Sequence, residues 1–153
     1  MSFPSSAIFG QGTHLRLGDG ANPENFIKVA EVRSISGPTF TTDILDVTSH
    51  CSQGRVREFK AGLIDPGELT FSLAFQPGEP THGVKSGLQK LLLSGAVNNY
   101  ELAFPSSITF VWGFQAIVTG LPVNFPIDEV ITADVTLKVT GLPNFEKVVP
   151  VGF

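Results

Sequence analysis

Hydrophobic and polar positions alternate with a period of two along three stretches of the chain. In Glu68–Gln76, Leu69, Phe71, Leu73 and Phe75 fall on one side, and Thr70, Ser72, Ala74 and Gln76 on the other. In Val130–Gly141, Ile131, Ala133, Val135, Leu137 and Val139 face one way, and Thr132, Asp134, Thr136, Lys138 and Thr140 the other. In Ile108–Gly120, Ile108, Phe110, Trp112, Phe114, Ala116 and Val118 share a side, while Val111 and Ile117 make the opposite side partly apolar. Strict alternation marks a half-buried strand, and apolarity on both sides marks a strand covered on each face. Shorter strands are expected at Thr13–Leu17, Phe26–Ile35, Thr42–Val47 and Asn99–Phe104, separated by Gly, Pro and Asn clusters. Thr81–Ser94 has a different period. Val84, Leu88, Leu91 and Leu92 form one helical stripe, with Thr81 as N-cap and Gly95 in the terminating position. These elements predict a mainly β fold: an antiparallel β-sandwich or flattened barrel with one packed α-helix and a long loop between early strands.

That loop separates Thr42–Val47 from Glu68 and runs for about twenty residues. A loop this long inside a compact domain is uncommon and is usually functional. Its anchors Val56, Phe59, Leu63 and Ile64 argue for a contact arm whose partner is another copy of the chain. Residues 1–12 read as an N-terminal arm. Its Phe3 and Phe9 either fray or dock on a neighbour, and residues 13–153 read as one domain. The segments Val118–Phe125 and Val139–Phe145 echo each other, reading as strand ends followed by the same Gly-Leu-Pro turn.

Only 16% of residues are charged, so much of the surface is uncharged and suited to cover by neighbouring subunits. The formal charge of −4 argues against a surface that grips nucleic acid, which requires a basic patch. Cys51 is the sole cysteine, so no intrachain disulfide forms. The first residues lack the pattern of a signal peptide, and no run is long and apolar enough for a membrane helix, so assembly in a cytoplasm is expected. The search for chemistry returns no catalytic, metal or cofactor site. His50 and Cys51 are adjacent and without a second Cys/His pair, and Asp43 and Asp46 point to opposite sides of a strand. Trp112, Tyr100 and Phe114 alternate with core residues, although a sugar- or ligand-binding module remains the alternative reading. Arg55, Arg57 and Lys60, with Glu58 among them, read as an ion-pairing element for a carboxylate-bearing partner surface.

The ordered motifs resemble a known family. Ile27-Lys-Val-Ala-Glu-Val is followed by Asp43-Ile-Leu-Asp-Val-Thr, and the long loop ends in Gly62-Leu-Ile-Asp-Pro-Gly-Glu-Leu-Thr-Phe-Ser-Leu-Ala-Phe75. This order, with the turn Gly62, Asp65, Gly67 and Glu68, resembles the major tail tube proteins of long-tailed bacteriophages, from about Thr13 to Pro143. Where such chains often carry a tryptophan in the loop, this one offers Val56 and Phe59. The resemblance implies a non-enzymatic virion protein, assembled in the host cytoplasm, whose hexameric rings stack into a tube. It implies a lumen that conducts double-stranded DNA without binding it, and tape measure, terminator and tail-tip proteins as partners. A terminator or tip hub shares the fold and is the nearest alternative. On this basis Phe3, Phe9, His50, Arg55, Arg57, Phe59 and Lys60 are candidate inter-ring or inter-subunit contacts, and Asp128, Glu129 and Asp134 are candidate lumen residues.

Overall fold

The computed structural model describes residues 5, 7–8, 10–20, 23–105 and 110–148, the last three by backbone alone. Phe3, Phe9 and Ile108 lie outside the described residues. Among the described residues ten strands and one α-helix follow in order, with a single 3-10 turn at Gln53–Arg55: β1 His14–Gly18, β2 Phe26–Lys28, β3 Val32–Ser36, β4 Thr41–Asp46, β5 Phe59–Asp65, β6 Glu68–Ala74, α1 Leu88–Ser94, β7 Asn98–Ala103, β8 Phe110–Gly120, β9 Val123–Asn124 and β10 Thr132–Val148. Every strand pairing is antiparallel. The main sheet runs β2-β1-β7-β8-β10-β6-β3, with β9 also on β10, while β4 and β5 pair only with each other.

Closure of the sheet follows from a short link. β2 and β3 are the two ends of the strand order, yet only Val29–Glu31 separate them. From Lys28 to Val32 an extended chain reaches at most about 14 Å, so the sheet curls until its margins meet. The link bonds to both sides: Val29 N–H donates to Leu15 O, and Glu31 O accepts from Ala74 N–H. The expected single strand Phe26–Ile35 is therefore two strands. Glu31 turns the chain at φ 58°, and no glycine or asparagine in the sequence announces the turn. The result is the expected flattened barrel. Leu15, Val29, Leu69, Leu73, Ala116, Ala133, Val135 and Leu137 are wholly buried inside it.

Three other expectations change. The helix is shorter than its periodicity suggested. Thr81–Gly87 fold into turns because Thr81 and His82 are drawn into the barrel: Ala30 N–H donates to Thr81 Oγ1, and His82 bridges Ala30 O and Gln76 N–H while stacking on Phe75. At Gly87 a Cβ would lie 2.4 Å from the Thr81 carbonyl carbon, so only glycine admits that approach. Gly95, at φ 66°, ends α1 as expected, while Val84 is exposed. The second Gly-Leu-Pro is not a strand exit. It lies inside the continuous β10, where Gly141 adopts φ 75° and the register against β8 shifts. Finally, the long loop is part strand, because its seven residues Phe59–Asp65 form β5 and pair back onto β4.

Candidate functional site

β4 and β5 form a hairpin that projects from the barrel. All of β4 is exposed, and within β5 only Gly62 is partly covered. Register places Ile44 opposite Ala61, Thr42 opposite Ile64 and Asp46 opposite Phe59, so these six side chains share one face. A shift between Thr42 and Ile44 accommodates one extra residue on β5, and this brings Phe59, Ala61 and Ile64 to the same side. Ile44, Phe59 and Ile64 are 63%, 55% and 64% exposed. Leu45, Val47, Val56 and Leu63 add further exposed apolar surface. A two-stranded hairpin with no covered face is marginal in water, and an apolar patch of this kind marks an interaction surface.

The attachment of the hairpin explains the Gly62-x-x-Asp65-x-Gly67-Glu68 pattern. Asp65 Oδ1 accepts from Gly67 N–H at 2.8 Å and from Lys138 Nζ at 3.0 Å. The amide bond, then the ammonium group, holds the exposed Asp65 carboxyl below the usual carboxylate range. Gly67 sits at φ 72°, where a Cβ would meet Thr39 O at 1.9 Å. Thr39 N–H donates to Glu68 O, and Val139 N–H to Gly67 O. An aromatic chain completes the base. Phe40 meets Phe145 edge-on at 5.3 Å, Phe145 meets Trp112 at 5.0 Å, and Trp112 meets Phe104 at 5.0 Å. Trp112 is thus packed between Phe145 and Phe104 as a link in the base of the arm.

At the far end, Val47–Glu58 make an ordered tip. Thr48 N–H donates to Asp46 Oδ1, Glu58 N–H to Thr48 Oγ1, and Ser52 Oγ to Glu58 Oε2. The bonds from Thr48 hold the Asp46 carboxyl below its ordinary value. His50, Arg55, Arg57 and Lys60 are all exposed, as is Cys51. The structure therefore gathers His50, Arg55, Arg57, Phe59 and Lys60 on one arm with the expected anchor Ile64, and Ile44, which the sequence alone does not single out, joins them. Its signal was its place on a hairpin whose second strand a glycine and a bulge concealed.

The acidic candidates separate. Asp134 is exposed on the outer face of β10 opposite Ser72, among Thr70, Thr132, Thr136 and Thr140. On this face Lys138 is neutralised by Asp65. Asp128 and Glu129 instead sit on the Phe125–Ile131 loop between β9 and β10, with Phe125 74% exposed and Ile127 fully exposed. Elsewhere, the mostly buried Arg16 pairs with the buried Glu101 at 3.5 Å and donates to His14 Nε2. Burial, then the charges of Arg16 and Lys28, push the His14 pKa down despite a bond to Gly12 O. Among the described residues no group of three or more His, Cys, Asp or Glu side chains is placed to hold a metal, and no helix is long and apolar enough to cross a membrane.

A family model described as lambda phage tail tube protein matches residues 11–146. The chain belongs to this family. Tail tube proteins of this family are structural components of virions rather than enzymes. No curated protein matches. Among solved structures, a subunit from the tail of an empty gene transfer agent particle, refined with C6 symmetry, superposes with a TM-score of 0.73 at 17% identity, covering 92% of this chain and 100% of that one. A chain of an extracellular contractile injection system sheath–tube complex gives 0.68 at 14%, covering 92% and 93%. The SPP1 tail tube gives 0.66 at 10%, covering 92% and 80%. At these identities the likeness establishes the shared fold.

Proposed function

We propose that this chain is the repeating subunit of a phage tail tube, forming rings of six that stack around a lumen conducting double-stranded DNA. The observation that carries this reading is the hairpin: an apolar arm with neither face covered, rigidly tied at its base, on a member of the tail tube family. Such an arm gains stability only against another subunit. The C6 symmetry of the gene transfer agent tail supports the count of six. The arm makes the inter-ring contact through His50, Arg55, Arg57, Phe59 and Lys60, with Phe3 and Phe9 contributed by the N-terminal arm. Residues 13–153 act as one tube-building domain.

The lumen is assigned to the outer face of β6 and β10. It is covered with small hydroxyl side chains, carries Asp134, and has its one lysine, Lys138, paired. A wall of this kind repels or ignores a phosphate backbone rather than holding it. The tape measure protein would occupy this channel before DNA does, with a terminator and tail-tip proteins closing the ends. A chain from the sheath/tube terminator structure of an extracellular contractile injection system has the same fold. Negative-stain microscopy of the purified protein, with a tail-tip initiator where needed, tests the reading. Rings and tubes are expected; a strictly monomeric protein at high concentration refutes it, and a single closed ring that never extends favours a terminator.

A further inference from the structure

We infer that the hairpin of one copy seats on the Phe125–Ile131 loop of the next copy along the tube, with Arg55 and Arg57 facing Asp128 and Glu129. This contact rests on the tube reading and names the partner surface of that same hairpin.

Position carries the first part of the argument. β6 and β10 pair from Lys138↔Glu68 to Thr132↔Ala74. The hairpin leaves the barrel beside Glu68, and the loop enters it beside Ala74, where Phe75 N–H donates to Ile131 O. Six strand steps, about 20 Å, separate the two ends. Arm and loop therefore sit at opposite ends of the same strand pair. A contact that uses two different patches at opposite ends is heterologous, and it repeats without closing along the axis.

Chemistry carries the second part. Both surfaces are apolar: Ile44, Phe59 and Ile64 on the arm, and Phe125, Ile127 and Val130 on the loop, all exposed. Their charges are opposite. From Val47 to Glu58 the tip carries Arg55 and Arg57 against one acid, Glu58, which Ser52 already engages, while Lys60 and the acids Asp43, Asp46 and Asp65 lie on the strands behind it. From Ala116 to Leu137 the chain has no lysine or arginine, while Asp128 and Glu129 project from the loop. Among the described residues neither Arg55 nor Arg57 has an ion-pair partner within its own chain. Complementary charge around an apolar centre fixes register and suppresses wrong pairings. By this inference Asp128 and Glu129 belong to the junction between copies, and Asp134 alone of the three acidic candidates remains on the channel face.

Charge exchange tests it in the full-length protein. Asp128→Lys/Glu129→Lys and Arg55→Glu/Arg57→Glu should each raise the concentration needed for tube growth at least about tenfold, and the four substitutions together should restore growth toward the wild-type value. All substituted side chains are exposed, and thermal melting of each variant confirms a folded subunit. Growth of Asp128→Lys/Glu129→Lys at wild-type concentrations overturns the contact while leaving the tube reading intact. So does a loss in both pairs that the combined variant does not rescue, which places the arm on another surface. A wild-type protein that never polymerises overturns the tube reading itself. A second measurement avoids charge altogether. Ile127→Cys, treated with a short bismaleimide in assembled tubes, should cross-link to the native Cys51 at the tip and give a ladder of oligomers. The absence of that ladder counts against the contact.

Discussion

Replacing Ile44 and Ile64 together by threonine separates the stability of the subunit from that of the tube. Threonine keeps the β-branch that suits a strand, so the hairpin retains its backbone preference. The two side chains are 63% and 64% exposed and share one face of the arm. Fully burying an isoleucine contributes about 1.5–3 kcal/mol, and about two-thirds of that is still available at each site. A neighbour covering both gains about 2–4 kcal/mol, and the threonine hydroxyl adds a desolvation cost that offsets what its remaining methyl retains. At 1.4 kcal/mol per tenfold, the critical concentration for polymerisation should rise about thirtyfold to several hundredfold. Within the isolated subunit the same change removes little buried area, so denaturant unfolding should shift by no more than about 0.5 kcal/mol. Sedimentation or light scattering against concentration gives the first number, and urea titration the second. An unchanged critical concentration, or a subunit destabilised by well over 1 kcal/mol, would show that the arm packs differently from this account.

Three further outcomes are expected. Gly67→Ala should destabilise the subunit by about 2–4 kcal/mol, from a left-handed backbone and an overlap with Thr39 O, whereas Gly20→Ala, at φ 76° with open space, should cost only about 1 kcal/mol in the same urea titration; equal costs refute the close-approach argument. Tyr100→Phe removes a hydroxyl that is buried without a hydrogen-bond partner among the described residues, so calorimetry should show stability unchanged or raised by up to about 1 kcal/mol, and a clear loss refutes it. Because the folded Asp65 carboxyl titrates below its ordinary value, its contribution is complete above the usual carboxylate range and is lost as pH falls through the lowered pKa; protection factors for the amides of Phe59–Asp65, measured against the intrinsic exchange rate at each pH, should therefore fall on acidification, and Asp65→Asn should remove most of that pH dependence.

What the chain disclosed in advance depended on how local the cause was. β6 and the Thr132–Thr140 part of β10 were legible because their side chains alternate without a break and the barrel covers just one side of each, whereas Gly141 hid the continuation of β10 to Val148. β5 was hidden because Gly62 weakens it and a bulge breaks its period, so its pairing with β4 rests on register rather than pattern. The break at Ala30–Glu31 carries no turn residue; the chain bends there because its two flanks bond to opposite margins of the sheet. The helix was drawn too long because Val84 matches the stripe by spacing alone, while Thr81 and His82 are held by Ala30, some fifty residues earlier. Of the site, the basic tip and Phe59 were readable from composition. The chain Phe40, Phe145, Trp112, Phe104 was not, since its members come from distant segments.

The strap Val29–Glu31 also divides the molecule mechanically. An open sheet shears and splays under load, but here the two margins are sewn together by a few residues bonded to each. The barrel is the stiff part of the subunit, and the two-stranded arm beyond its tied base, with neither face covered, is the compliant part. If such units stack as proposed, curvature collects at the joints between copies while each barrel keeps its shape, and the filament bends along its axis without deforming its subunits.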